Sequence, residues 1–442
     1  MDYPRESYVR KLSGRIDNGL IKVITGSRRA GKSFLMNNLF YNRLLDMNVS
    51  KSDILRFAFD SDDDLDLLDG YFPNEETKIK QKDGSYLVNS KKFRAYVKDW
   101  AKDRMHLFLL LDEVQLLDGF ISTLNGFLGR GTYDIYVTGS NSRFLSSDIA
   151  TEFRGRGSEI HVLPLSFSEY MECADDSPET AWKDYVETGG IPVVAKMKDR
   201  TERRTYLRDL CEQTYLKDVI SRNHIRNTSA LSDVFDISAS LIGSLVNPRR
   251  IANTFGTVLN KDITADTVSD YIRFFEEAFL LSRARRYDVK GRMYIGTPYK
   301  LYFEDIGVRN ARLNFRQIEE THIMENIIYN ELRFRGFNVD IGVIRVSEKS
   351  EKVDRNGRPI YETKPLEVDF IATAGDSKYY IQSALSLEES AKEEGEKKPL
   401  RNIDDSFTKI IITRNGLHTF QDDDGIVTMD LFDFLLNWNP TV

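Results

Sequence analysis

The chain has 442 residues, 41% hydrophobic and 30% charged, with a formal net charge of −7 at pH 7. At roughly 100–200 residues per domain, this length suggests about two to four domains, with too much apolar material for a disordered chain. The acidic balance excludes a protein that is basic throughout, although a local basic face is still allowed.

Two cysteines, Cys173 and Cys211, lack CxxC spacing. That excludes a disulfide framework or zinc ribbon and fits a reducing, cytoplasmic setting. The opening segment MDYPRESYVRKLSGRID is charged and has no apolar h-region, so no signal peptide is expected. No stretch reaches the ~18 apolar residues of a membrane span. The five histidines are scattered and read as ordinary polar residues.

IKVIT (21–25) reads as a buried parallel strand. GSRRAGKS follows, and FLMNNLFYNRLLD then has helical spacing. A glycine-rich loop between strand and helix is the setting of a phosphate-binding loop. Gly26 and Gly31 let the backbone turn its N–H groups inward, and the helix N-terminus adds partial positive charge. The expected phosphate contacts run through Gly26, Ser27, Arg28, Arg29, Ala30, Gly31, Lys32, Ser33 and Phe34. Lys32 can reach the β- and γ-phosphates of ATP, and the Ser33 hydroxyl can ligate Mg²⁺.

DILRFAFD (53–60) reads as a strand, EETKIKQKDGSYLVNS as a loop or hairpin, and NSKKFRAYVKDWAKDR as a helix with Phe93, Val97 and Trp100 on one face. LFLLLDEVQ is a second fully buried strand carrying two carboxylates at its C-terminal end, where open α/β sheets bind ligands. Asp112 is the candidate second Mg²⁺ ligand, and Glu113 the residue that orients or deprotonates water. DIYVTGSNS (134–142) is a third strand whose polar end offers Asn141, or Ser140 beside it, to the γ-phosphate or the water. RGRG (154–157) offers Arg154 or Arg156 to neutralise charge on the transferred phosphoryl group, in cis or from a neighbouring subunit.

Residues 166–228 look helical, punctuated by a turn at GGIP, and are expected to form a lid beside the nucleotide. Residues 229–316 read as three helices and a hairpin turning at Lys290-Gly291, with Thr264 capping the third helix and Val268, Tyr271, Ile272 and Phe275 facing inward. That order is a winged helix. Its basic residues Arg249, Arg250, Arg273, Arg283, Arg285, Arg286, Lys290 and Arg292 suit phosphate contacts on double-stranded DNA, while Asp266, Asp270, Glu276 and Glu277 dilute the field. Residues 317–442 begin with a helix, followed by the strands NVDIGVIRV, PLEVDFIAT and KYYIQSAL, the charged run LSLEESAKEEGEKKPLR, and a closing strand, strand and helix.

With these landmarks in place, the chain resembles the prokaryotic AAA+-like ATPases that lie near the archaeal-type and STAND ATPases and carry a winged-helix segment and a C-terminal restriction-endonuclease-like domain. The resemblance is carried by TGSRRAGKS, LLLDEVQ, VTGSNS, Gly155-Arg156, LPLSFSEY, ETGGIP, YLKDVISRNHIRN, and EVDFI followed by YIQSALSL. It implies the roles given above for Lys32, Ser33, Asp112 and Glu113, and it favours Arg156 over Arg154. In the C-terminal segment it places Glu325 on the first helix, Asp369 on the second strand, and Gln382-Ser383-Ala384 where the PD-(D/E)xK nuclease pattern has Glu-x-Lys. A metal-dependent nuclease needs that carboxylate and lysine, so a degenerate domain is expected.

The expected fold class is therefore α/β. A P-loop NTPase parallel sheet (1–165) is followed by a helical lid (166–228), a winged helix (229–316) and a restriction-endonuclease-like domain (317–442). The expected activity is Mg²⁺-dependent ATP hydrolysis coupled to DNA, to a protein partner or to self-association, with no membrane. The alternatives are an ATP-bound scaffold or switch with negligible turnover and an ATP-gated nuclease in genome defence.

Overall fold

The computed structural model describes residues 2–440 apart from 82–83, 103, 140–152, 154, 175, 259–261, 354–358, 415 and 417. The chain divides into two compact units, Met1–Pro164 and Leu165–Val442.

Strands without polar alternation must be buried on both faces, and a parallel sheet covered by helices does this. In the first unit, helix α1 (Glu6–Ser13) precedes β1 (Ile21–Thr25). The helix after the loop, α2, runs through Lys32–Phe34, a π-helical stretch Leu35–Phe40 and Tyr41–Asp46. Then come β2 (Ile54–Ala58), α3 (Asp62–Tyr71), a hairpin of β3 (Lys78–Lys80) and β4 (Tyr86–Val88), and α4 (Ser90–Trp100). The unit closes with β5 (Leu107–Asp112), α5 (Phe120–Leu128), β6 (Tyr133–Thr138) and β7 (Gly157–His161).

β1, β5 and β6 are buried at every residue. The sheet is wholly parallel, in the order β2-β5-β6-β1-β7. One strand, β6, therefore separates the glycine-rich loop from the acidic strand, and all the chemistry gathers at the C-terminal edge. Lys22 lies fully buried within β1 because its ammonium pairs with Asp134 on the adjacent β6. A charge at such a site needs a partner.

In the second unit the helices are α6 (Phe167–Met171), α7 (Pro178–Thr188), α8 (Pro192–Ala195) and α9, which runs through Arg200–Asp209, a π-helical Leu210–Leu216 and Lys217–Arg222. The turn at Gly189-Gly190 is fixed by tertiary contact. A Cβ on Gly190 would lie 2.2 Å from the Leu165 carbonyl oxygen. The buried Asp305 carboxylate accepts the N–H groups of Gly190 at 2.8 Å and Val308 at 3.0 Å.

Next come α10 (Thr228–Ser240), the short β8 (Leu245–Val246), α11 (Pro248–Val258), α12 (Ala265–Glu277), and the hairpin of β9 (Leu281–Asp288) and β10 (Met293–Phe303). Thr264 caps α12, and Val268, Tyr271, Ile272 and Phe275 are its buried face. After α13 (Ile306–Arg312) and α14 (Glu320–Phe334), the chain adds β11 (Asn338–Val353), β12 (Pro359–Ala374), β13 (Ser377–Ala384), α15 (Ser390–Arg401), β14 (Thr408–Thr413), β15 (Phe420–Gln421), β16 (Ile426–Asp430) and a π-helical turn, Asp433–Asn437.

The hairpin and the C-terminal strands form one nine-stranded sheet, in the order β15-β16-β14-β13-β12-β11-β9-β10-β8. The joint is a parallel pairing in which Ile341, Gly342 and Val343 of β11 face Arg286, Tyr287 and Asp288 of β9. Periodicity within each strand is silent about such a pairing. Among the described residues, no helix is long and apolar enough to cross a membrane.

Candidate functional site

The loop between β1 and α2 closes over its own backbone. Gly26 sits at φ 136, and a Cβ there would lie 2.2 Å from the Val162 carbonyl oxygen. Only glycine fits. Arg29 and Gly31 also have positive φ, 69 and 93, so the chain curls before the helix begins. Ala30 is buried inside the curl, while Arg28, Arg29, Ser33 and Phe34 are exposed. The Lys32 ammonium donates to the carbonyls of Gly26 and Ser27, both at 2.9 Å, which holds it across the mouth of the loop.

Asp112 ends β5 and is the hub of the site. Its Oδ1 accepts from the Ser33 hydroxyl at 3.1 Å and from the Thr138 hydroxyl, and its Oδ2 accepts from Asn37 Nδ2 at 3.2 Å. Burial raises its pKa, and the charges of Glu113 and Asp60 push the same way, while the hydroxyls of Thr138 and Ser33 oppose them. Glu113 stands in the left-handed region at φ 50, a strained conformation for a residue with a side chain. Its N–H donates to Thr138 Oγ1 at 3.2 Å, and its carboxylate accepts from Gln115. The buried Thr138 thus ties the Asp112 carboxylate to the Glu113 backbone.

Ser33, Asp112 and Glu113 are therefore brought together from the end of one strand and the start of a helix, with Lys32 beside them. Ser33 and Asp112 offer the hydroxyl and carboxylate oxygens that Mg²⁺ takes, one or two of them beside the phosphate oxygens. Arg156 is not brought to the loop of its own chain. It immediately precedes β7, and its carbonyl accepts the N–H of Ile21 at 2.8 Å. That is the start of β1, about 13 Å along the strand from the loop end at ~3.3 Å per residue. Asn141, Ser140 and Arg154 lie outside the described residues.

Sequence reasoning missed three participants. Thr138 was passed over for the polar residues that follow it. Asn37 reaches Asp112 from the π-helical stretch of α2, an irregularity common at functional sites. Asp60 follows β2, and its pKa is raised by burial and then by the charge of Glu113, with Arg28 opposing. Its only signal in the sequence is an aspartate closing the apolar run FAFD.

A glycine-rich loop on an interior strand of a parallel sheet, with one strand between it and the acidic strand, defines a P-loop nucleotide-binding protein of the AAA class. A family model described as AAA domain matches residues 18–171, and one described as a domain of unknown function matches residues 179–319. The chain belongs to the same family as an uncharacterized protein of Haemophilus influenzae, with which it is 30% identical over 438 residues, 98% of each chain. An uncharacterized protein of Methanocaldococcus jannaschii is 26% identical over 389 residues, 84% of this chain and 76% of its own.

Similar solved structures include the Aeropyrum pernix ORC2 protein in ADPNP–ADP complexes, at 13% identity, 70% coverage of this chain, 93% of that chain and a TM-score of 0.35. C. elegans PCH-2 gives 17% identity, 62% and 66% coverage, and a TM-score of 0.27. Neither likeness is close enough to bear on function.

Proposed function

We propose that the protein binds ATP–Mg²⁺ at the loop of residues 26–34 and hydrolyses it, and that the nucleotide state controls its hold on a macromolecular partner. The observation that carries this reading is the hub at Asp112, which joins Ser33, Asn37 and Thr138 beside Glu113. In this reading the loop N–H groups and Lys32 hold the phosphates, and Ser33 and Asp112 hold Mg²⁺. The cation, when bound, supplies charge neutralisation at the β- and γ-oxygens. Glu113, its backbone pinned by Thr138, orients the attacking water and takes its proton. Asn141 contacts the γ-phosphate or the water, and Arg156 serves a neighbouring copy.

The partner is better read as protein than as duplex DNA. Residues 229–316 have the helix and hairpin order of a winged helix, but two of its cations are paired with carboxylates of the third helix. Arg273 binds Asp270 and Glu277, each at 2.9 Å, and Arg283 binds Glu276 at 2.7 Å. Phosphate contacts would have to displace these carboxylates. Arg249, Arg250, Arg285 and Arg292 are exposed and keep a DNA reading testable.

Steady-state ATPase activity, with and without duplex DNA, tests this reading in wild type and Lys32→Ala. Turnover that Lys32→Ala abolishes and DNA leaves unchanged supports it. Stimulation by DNA transfers the partner assignment to DNA. ATP binding without turnover leaves a nucleotide-bound switch and overturns the hydrolytic step.

A further inference from the structure

The second unit contains a concentration of buried charge that the nucleotide site does not use. Lys300 is the one cation within the buried half of β10, in the run Tyr299-Lys300-Leu301-Tyr302-Phe303, all five of which are buried. Its ammonium lies 2.8 Å from Glu325 on α14, and 2.9 Å from Glu367 and 3.4 Å from Asp369 on β12. Tyr302 donates a further bond, of 2.6 Å, to the same Glu325 oxygen. Three carboxylates from two elements thus converge on one ammonium supplied by a third.

The surrounding groups complete a closed network. Gln382 accepts the Asp369 N–H at 2.7 Å and donates to Glu396 at 2.7 Å, and Ser383 N–H donates to the second Asp369 oxygen at 2.9 Å. The resemblance to metal-dependent nucleases implies a divalent cation among Glu325, Asp369 and the residue at 382. The residues present do not fit one. The Gln382 carbonyl oxygen is committed to a backbone N–H, and an ammonium already stands at the point where the carboxylates converge. Among the described residues, no group of three or more histidine, cysteine or acidic side chains is placed to hold a metal ion.

Charge accounting agrees. Burial disfavours the lysine's charge, yet Asp369, Glu325 and Glu367 together raise its pKa above that of an ordinary lysine. Burial, with the charge of Asp369, pushes Glu325 up to about 7. A buried ammonium with several carboxylate partners is hard to remove, because taking it out leaves uncompensated charge behind.

We propose that Lys300 is the resident cation of this carboxylate cluster, standing where a divalent metal would have to sit. The cluster then binds the β9–β10 hairpin to β12 and α14 as a fixed charged strap instead of forming a hydrolytic metal centre. This inference is independent of whether ATP is hydrolysed.

The test uses full-length, nucleotide-free protein and Mn²⁺ as the probe. Mn²⁺ binding is measured by calorimetry and by paramagnetic resonance on wild type and Asp369→Asn, whose side chain keeps its shape. The proposal expects the two isotherms to coincide and Mn²⁺ to elicit no cleavage of plasmid DNA. A wild-type Mn²⁺ site that is lost in Asp369→Asn overturns it, as does Mn²⁺-dependent cleavage. Lys300→Met, which keeps the apolar stem and removes the charge, is expected to lower Tm and to recover several degrees on addition of Mn²⁺. A folded Lys300→Met protein whose Tm does not respond to Mn²⁺ overturns the claim that the lysine stands in a metal's place. Should that variant not fold, the comparison of wild type with Asp369→Asn decides alone.

Discussion

Thr138→Val removes one hydroxyl and leaves the volume of the buried side chain almost unchanged. The hydroxyl donates to Asp112 and accepts the Glu113 N–H at 3.2 Å. A hydrogen bond to a charged group contributes ~1.5–3 kcal/mol and a neutral one ~0.5–1 kcal/mol, so the substitution costs about 2–4 kcal/mol. The bond from the Glu113 N–H to Thr138 helps to hold the left-handed conformation at Glu113, so the carboxylate is expected to lose its orientation. At about 1.4 kcal/mol per tenfold change, full expression of that loss in the transition state lowers kcat roughly 30- to 700-fold. KM for ATP should change little, because the loop and Lys32 are untouched. The assay is steady-state ATP hydrolysis, with urea unfolding of the same preparations as a check on stability. Thr138→Ser restores the hydroxyl and should recover most of the rate, at a cost in stability of about 1 kcal/mol for the lost methyl group. A Thr138→Val protein with wild-type kcat would refute the assignment of Thr138 as the residue that positions the Asp112 carboxylate and the Glu113 backbone.

Further outcomes are expected. Glu113→Gln keeps ATP binding, measured by equilibrium dialysis, and reduces turnover by at least about 100-fold; unchanged turnover would remove Glu113 from the proton-transfer step. Gly190→Ala brings a Cβ to within 2.2 Å of the Leu165 carbonyl oxygen, and since both atoms belong to fixed backbone, the urea midpoint should fall by at least about 3 kcal/mol in equivalent stability. Burial pushes the Asp305 carboxyl from the ordinary value of 3.8 up to about 6. A raised carboxyl pKa gives stability that is fully present below about pH 4 and is lost as pH rises through about 6, a change of roughly 3 kcal/mol. Asp305→Asn should therefore flatten the pH dependence of the unfolding free energy between pH 4 and 6 relative to wild type; parallel curves would show that its backbone donors offset the burial.

The nucleotide loop was legible in the sequence because its chemistry is local. GSRRAGKS needs only its own backbone, the strand before it and the helix after it, and uninterrupted apolar runs such as LFLLL can be satisfied only inside a covered sheet. Asp112 and Glu113 could be placed at the loop edge for the same reason, since a parallel sheet puts all strand ends on one side. Thr138, Asn37 and Asp60 were not legible, because their significance lies in which strands are neighbours. The order β2-β5-β6-β1-β7 sets Thr138 next to Asp112, and a π-helical turn aims Asn37 at it. The position of Arg156 at the far end of the strands follows from the register of β7 on β1, which carries no mark in the residues themselves.

The second unit shows the division most clearly. Helical periodicity, the Thr264 cap and the hairpin turn at Lys290-Gly291 were encoded within single elements, where side-chain spacing and backbone preference act over a few residues. The continuous nine-stranded sheet and the convergence of Lys300 with Glu325, Glu367 and Asp369 were decided by tertiary structure. Read alone, a lysine in an apolar strand is an anomaly, and Gln382 and Ala384 mark only a departure from a nuclease pattern. Buried charge is tolerated only beside its opposite, and the opposite charges here lie 25 to 69 residues away along the chain.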